Sequence, residues 1–343
     1  MKTDEYIPLF CVWELTLKCN MNCLHCGSRA GKQRENELSI EEAMDVAKQI
    51  VDLGFKYLSF IGGEVFFYKG WDKVSHFLTS NGVKVNIITN GYLMGDKQIK
   101  EIRHSGVCNV AISLDGMKEN HNRIRNNPRS FDRIKSSFDR LNKENIPIGI
   151  NTTLVDINVD DLEPLHDFLV DNNVLIWQLQ LANPMGNMSE WKELLISKDN
   201  IKKVIEFIKE KREENKIRIY TGDNIGYYHK HERVIRGDPG NINYWPGCQA
   251  GLTAIGIDSI GNVKGCESLY DDFFIEGNLR EESLADIWYK EGNFAYNRNF
   301  DPSQLSGKCK DCDKGAYCRA GCRGACFFTK GELFENAYCV YEC

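Results

Sequence analysis

The chain lacks any apolar run able to cross a bilayer. The stretch from Ile7 to Trp13 stops at Glu14, well short of the ~20 residues that a spanning helix needs. An N-terminus carrying Lys2, Asp4 and Glu5 does not read as a secretory signal either. Blocks of five or more like charges are also missing, and the segment from Lys202-Lys203 to Glu213-Glu214 mixes both signs as a solvated helix face does. With 43 basic against 49 acidic residues the net charge is −6, which gives no basic field for nucleic acid. The expectation is a cytoplasmic protein with neither nucleic acid nor membrane as partner. Fourteen cysteines without an export signal point to metal ligation in a reducing compartment, with a disulfide framework as the alternative. Ten of them fall in two tight sets, 19–26 and 309–343.

A chain of 343 residues is long for one domain and suits a core plus a smaller appendage. Short apolar runs alternate with helical patterns up to about residue 182. Strands are expected at Trp13–Leu17, Tyr57–Ile61, Val83–Thr89, Asn109–Leu114, Ile148–Leu154 and Leu175–Leu181. Ser39 with Glu42 reads as a capping box, followed by Ile40, Ala43, Met44, Ala47, Ile50 and Val51 at helical spacing. Phe131, Ile134, Phe138 and Leu141 share one face of another helix. Six β-then-α units imply parallel strands with right-handed crossovers. Six in place of eight suggests an α/β fold built as a partial (β/α)6 barrel, open on one side. Cys19, Gly62, Asn90 and Asp115 all follow strands, at the end where barrel chemistry collects. The expected units are a core over 10–190, a helical connector over 191–240 (Ile201, Val204, Ile205 and Ile208 on one face), and a cysteine-rich domain over 241–343. In that last domain helical periodicity persists only near Leu284–Tyr289.

Cys19, Cys23 and Cys26 are spaced C-x3-C-x2-C. Three thiolates can hold three corners of an iron–sulfur cubane and leave the fourth iron open, whereas a structural zinc site closes with a fourth ligand. The pattern resembles the signature of radical S-adenosylmethionine (SAM) enzymes, whose open iron binds the SAM amino and carboxylate groups. Gly62-Gly63-Glu64 resembles that superfamily's element for the SAM amino group; the glycines permit close approach and the carboxylate suits an ammonium. Thr89-Asn90-Gly91 and Ser113-Leu114-Asp115-Gly116 match further recurrent segments, the latter near the SAM ribose and methionine. The alternative is that Ser113 and Asp115 cap a turn. By the same resemblance Arg125 reaches the SAM carboxylate, unless it is an exposed helix-start arginine. His25, at a usually aromatic place, is expected to pack beside the cluster. Cys11 and Cys108 read as small buried residues.

Further on, Cys248, Gly261 and Cys266 precede Cys309-x2-Cys312-x5-Cys318-x3-Cys322 and Cys339. This resembles the SPASM extension of radical SAM enzymes that modify peptides and proteins. Zinc knuckles would explain Cys309/Cys312 and Cys318/Cys322 alone, but not the N-terminal triplet as well. The resemblance implies two auxiliary [4Fe–4S] clusters, three in all with the N-terminal one. Cys248, Cys266 and Cys322 would serve the first; Cys309, Cys312, Cys318 and Cys339 would serve the second. The first set is one thiolate short, to be completed by Cys326 or Cys343 or left open. Glu267 stands where sulfatase-maturing relatives place a proposed catalytic base, with a surface glutamate as the alternative. Trp177 to Gly186 reads either as the wall of a substrate channel or as a plain strand and turn.

The resemblance, covering residues 10–343, implies reductive cleavage of SAM to a 5′-deoxyadenosyl radical and hydrogen abstraction from a ribosomally made precursor peptide. The outcome would be a cross-link or an oxidised side chain. An external reductant such as flavodoxin or ferredoxin is implied. Little chain precedes the first cysteine, so recognition of a leader would fall to the enzyme surface or a separate leader-binding protein. The alternatives are a small-molecule dehydrogenase of the aminosugar type, a sulfatase-type protein maturase, and an iron–sulfur electron carrier or zinc-stapled scaffold without SAM chemistry.

Overall fold

The computed structural model describes residues 6–222, 224–236 and 244–341. Its strands are β1 (Phe10–Glu14), β2 (Tyr57–Ile61), β3 (Lys84–Thr89), β4 (Asn109–Ser113), β5 (Ile148–Leu154), β6 (Ile176–Leu181), β7 (Arg218–Thr221), β8 (Ala254–Ile257), β9 (Asn262–Lys264) and β10 (Gly277–Asn278). They form one sheet ordered β10-β9-β8-β1-β2-β3-β4-β5-β6-β7. From β8 across to β7 every pairing is parallel, while β9 and β10 run antiparallel. The two edges never meet, so the barrel is open.

Alternation along each strand sorts the side chains into two faces. Cys11 and Trp13 of β1, Leu58 and Phe60 of β2, Val85 and Ile87 of β3, and Trp177 and Leu179 of β6 belong to the main apolar core with the helices. Each fully buried large apolar side chain contributes about 1.5–3 kcal/mol, so this face holds the sheet to its helical layer. The other face is half-buried and mixed, with Ser59, Asn86, Ser113, Asn151, Thr153, Gln178, Gln180 and Tyr220 beside Val12, Ile61 and Ile88. Ser59 Oγ donates to Asn86 Oδ1 at 2.6 Å and Gln180 Nε2 to Thr153 Oγ1 at 3.2 Å. Polar side chains of this kind suit a wetted trough better than a packed barrel centre.

The crossover helices are α1 (Ile40–Leu53), α2 (Trp71–Ser80), α3 (Asp96–Ser105), α4 (Lys118–Ile124), α5 (Ser130–Lys143) and α6 (Leu162–Asp171), followed by α7 (Lys198–Glu214), α8 (Glu232–Arg236) and α9 (Leu284–Tyr289). The capping box at Ser39 forms in both directions, Glu42 N to Ser39 Oγ at 3.2 Å and Ser39 N to Glu42 Oε2 at 2.7 Å. Among the described residues no helix is long and apolar enough to cross a membrane.

Two features differ from the sequence expectation. The first strand ends at Glu14, three residues before the expected Leu17, because Leu17 N turns away to Glu37 Oε1 at 2.7 Å to start the cysteine loop. β7 and β8 also extend the six-stranded core, and their four residues each are too short for a clear period. β8 comes from the cysteine-rich region yet pairs directly with β1, Phe10 opposite Ala254 through Trp13 opposite Ile257.

Candidate functional site: a cysteine loop over the open sheet

The cysteine loop lies between β1 and α1. Its ends are pinned by Gly31 N to Leu17 O at 2.9 Å and Cys19 N to Gly31 O at 3.0 Å. Cys23 is buried and Cys19 and Cys26 are partly exposed. Backbone amides already point at the sulfurs: Met21 N is 3.4 Å from Cys19 Sγ and Ala30 N is 3.3 Å from Cys26 Sγ. Such donors stabilise thiolate sulfur on iron.

The two glycines after β2 are required by the chain's own backbone. A Cβ on Gly62 would come within 2.6 Å of Thr16 O, and one on Gly63 within 2.4 Å of Lys18 O and 2.5 Å of Leu17 O. In their place Gly63 N donates to Thr16 O at 2.7 Å and Glu64 N to Lys18 O at 2.9 Å. The turn is thus zipped to the cysteine loop. Glu64 is buried, taking Thr89 Oγ1 at 2.7 Å and Asn90 N at 2.8 Å. Burial nonetheless raises its carboxyl to about 7. Asn90 Nδ2 reaches back to Asn20 Oδ1 at 2.8 Å, inside the cysteine loop.

Asp115, two residues past β4, is fully buried and held on all sides. Its Oδ2 meets Arg125 Nε at 2.6 Å and His25 Nε2 at 3.0 Å; its Oδ1 accepts Thr153 N at 3.0 Å. Burial favours its neutral form, but Arg125 and then His25 outweigh that and hold the carboxyl well below the usual range. Arg125 caps the C-terminal end of α4 and is buried, so it is not an exposed helix-start residue. Its Nη1 lies 3.8 Å from Cys23 Sγ. His25 does pack in the loop, but against Asp115 Oδ2, and its buried Nδ1 has no hydrogen-bond partner among the described residues. Ser113 ends β4 opposite Asn151 on the mixed, half-buried face.

Sequence reasoning missed the loop after β6 as a support for the cysteines. Asn187 N donates to Cys26 O at 2.8 Å and Asn187 Nδ2 to Cys23 O at 2.9 Å. Gly186 sits at φ +56°, and a Cβ there would meet Gly27 O at 2.2 Å. The Pro184-Met185-Gly186 turn was the available signal, although nothing local tied it to residues 160 positions earlier (Cys26 to Gly186).

In the cysteine-rich region, Cys309, Cys312, Cys318 and Cys339 line one small cavity with Tyr227, Tyr228 and Tyr341. Cys248, Cys266 and Cys322 belong to one hydrophobic cluster with Tyr227, Trp245, Leu269 and Phe274, which also takes in Cys318 and Cys339. Ser268 N lies 3.4 Å from Cys266 Sγ. Cys326 is wholly buried, donates to Ala320 O at 3.1 Å and packs with Leu305 and Cys309; Cys343 lies outside the described residues. Among the described residues no three Cys, His, Asp or Glu close on one point as a single ion would require. Cys11 is buried as expected, whereas Cys108 is exposed ahead of β4.

Glu267 is buried, not superficial. It overlies Gly256 on the inner face of β8, where a Cβ would approach its Oε1 to 2.7 Å. Lys264 Nζ stands 3.4 Å from its Oε2, and Oε1 has no hydrogen-bond partner among the described residues. Burial lifts this carboxyl to about 8 despite Lys264. Alongside, Arg34 bonds Glu14, Ser259 and Tyr270, tying the cysteine loop to the C-terminal region.

A model described as the radical SAM superfamily matches residues 13–169, and one described as an iron–sulfur cluster-binding domain, SPASM, matches residues 248–313. The chain is 27% identical to an AdoMet-dependent heme synthase of Methanosarcina barkeri, over 98% of this chain and 97% of that protein. It is 26% identical to the mycofactocin maturase MftC of Mycolicibacterium smegmatis, over 94% of this chain and 80% of that one. The crystal structure of Streptococcus suis SuiB bound to the precursor peptide SuiA shares the fold, with a TM-score of 0.78 at 18% identity, over 98% of this chain and 76% of that chain. Residues 13–169 are a radical SAM domain and residues 248–313 a SPASM domain. The chain is an enzyme, and its class implies SAM, a [4Fe–4S] cluster and auxiliary iron–sulfur clusters. The residues present fit these groups: amides aimed at thiol sulfurs, and four thiols around one cavity.

Proposed function

We propose that this enzyme matures a ribosomally made peptide, removing hydrogen from a side chain to leave a cross-link or an oxidised residue. The unclosed sheet carries the reading: its edge strands β7 and β10 do not pair among the described residues, and the face bearing half-buried polar side chains leaves an extended peptide room to approach. Similarity to a maturase over nearly the whole chain supports it, as does the shared fold with an enzyme captured on its precursor peptide. The reading includes a core over 10–190, a connector over 191–240, a SPASM domain over 241–343, three [4Fe–4S] clusters, a cytoplasmic setting, a flavodoxin- or ferredoxin-type reductant, and leader recognition by the enzyme surface or a separate protein.

Cys19, Cys23 and Cys26 would hold the SAM-binding cluster; Cys248, Cys266 and Cys322 the first auxiliary cluster; and Cys309, Cys312, Cys318 and Cys339 the second. When bound, SAM and its cluster supply a 5′-deoxyadenosyl radical. Glu64 would receive the SAM ammonium, with Gly62, Gly63, Asn90 and Ser113 shaping the pocket and Asp115 and Arg125 bracing it. Glu267, once ionised, would take a proton from the substrate at Oε1, which has no partner among the described residues. A general base contributes about 100- to 10,000-fold, so Glu267→Gln should slow product formation by roughly that range while 5′-deoxyadenosine still forms. Full product turnover in the variant would remove the role.

Glu64 yields a pH prediction. Its folded carboxyl titrates near 7, above its ordinary 4.5, so this group's contribution to apo-protein stability is full below 4.5 and lost as pH rises through 7. An ammonium placed against it favours the carboxylate. SAM binding should therefore release a proton between those values, and affinity should rise with pH across them. Calorimetry in buffers of different ionisation enthalpy reads this directly, and Glu64→Gln should abolish the proton release.

The heme synthase similarity favours a second reading, oxidation of a small molecule. Anaerobic mass spectrometry of a peptide encoded next to the enzyme, co-expressed with wild type or with Cys23→Ala, separates the two. Hydrogen loss from the peptide only with wild type supports the first reading, and an unaltered peptide counts against it.

A further inference from the structure

We propose that Arg125, gripped by Asp115, is a positioning residue that raises the reduction potential of the cluster on Cys19, Cys23 and Cys26. This rests on the reading that those three cysteines hold a cubane. Besides the SAM carboxylate that the resemblance implies for Arg125, the guanidinium has two partners within the chain. Its Nη1 faces Cys23 Sγ at 3.8 Å and its Nε faces Asp115 Oδ2 at 2.6 Å. The arginine side chain is 10% exposed and the aspartate 0%, so water screens neither. The arrangement is a buried dipole with its positive end at the sulfur.

The dipole cannot swing. Asp115 Oδ1 accepts Thr153 N from β5, its Oδ2 also meets His25 Nε2, its carbonyl accepts Asn158 Nδ2 at 2.5 Å, and its N–H meets His121 Nδ1 at 3.1 Å. His121 is fixed in turn by Ser130 Oγ at 2.8 Å. Two crossovers and the cysteine loop are therefore spent on holding one guanidinium against one thiol. In a low-dielectric site a fixed cation stabilises added negative charge on the cluster. The step is a single electron passing from the external reductant to the cluster. The guanidinium keeps its proton, and no bond is made or broken.

An anaerobic redox titration followed by electron paramagnetic resonance tests this, reading the signal that changes when SAM is added and so belongs to the cluster with an open iron. Iron content and circular dichroism first establish loading and folding. Arg125→Gln should shift the midpoint to more negative potential, Arg125→Lys should recover much of the shift, and Asp115→Asn should move the midpoint the opposite way by leaving the cation uncompensated. Opposite signs for the two neutralising variants are the signature of charge, which a merely structural role would not produce. Unchanged midpoints, or shifts of the same sign, overturn the proposal. Should Arg125→Gln fail to load iron, the sign of the Asp115→Asn shift decides alone. If wild type itself shows no cubane signal responsive to SAM, the reading of the three cysteines has failed instead.

Discussion

Cys23→Ala should reduce 5′-deoxyadenosine formation to the level of an enzyme-free control, with the fold intact. Cys23 is the central thiol of the loop. Its carbonyl is held by Asn187 and its sulfur faces Arg125, so its loss would remove one of the three proposed ligands and leave the buried guanidinium to Asp115 alone. A cubane left with two protein thiolates has no means of keeping just one iron open. The loop's backbone anchors, at Leu17, Cys19 and Gly31, do not involve the Cys23 side chain, so circular dichroism should match wild type. Chromatography after anaerobic incubation with SAM and dithionite is the measurement. Cleavage at wild-type rate would mean that these cysteines do not build the site.

Gly63→Ala should have the next largest effect, through a different route. The new methyl would lie inside van der Waals contact with two backbone carbonyls of the cysteine loop, Leu17 O and Lys18 O, and neither is a flexible side-chain end. Overpacking of this kind costs about 1–3 kcal/mol, against a total stability of roughly 5–15 kcal/mol. The fold should survive with a lowered Tm. The loop must move away, breaking the Gly63 N to Thr16 O and Glu64 N to Lys18 O bonds, so SAM-dependent cleavage should fall far more than stability does. Equal iron content and equal SAM affinity in this variant would refute the zipped-turn account.

These two positions also show what was legible in the sequence. Cys23 carries its chemistry in its spacing, because three thiols within eight residues have few other uses. The strands from β2 to β6 were readable for a similarly local reason, since each alternates or runs apolar between clear turn signals. Gly63 was recognised for the right place but a different reason: the neighbour that forbids a side chain is the chain's own loop, 45 residues earlier (Lys18 to Gly63). Asn187 and the Asp115 grip on Arg125 were out of reach, because a polar side chain in a loop has no periodicity and its partners are chosen by the tertiary fold. β8 escaped notice since four residues, Ala254-Ile255-Gly256-Ile257, cannot display a period.

That same short strand imposes an order on biogenesis. β1 leaves the ribosome well before β8, so one of its two edges stays bare until β8 has emerged. Arg34 likewise has no Ser259 or Tyr270 to hold until then. The nascent cysteine loop consequently sits beside an unfinished sheet until the segment carrying β8 docks.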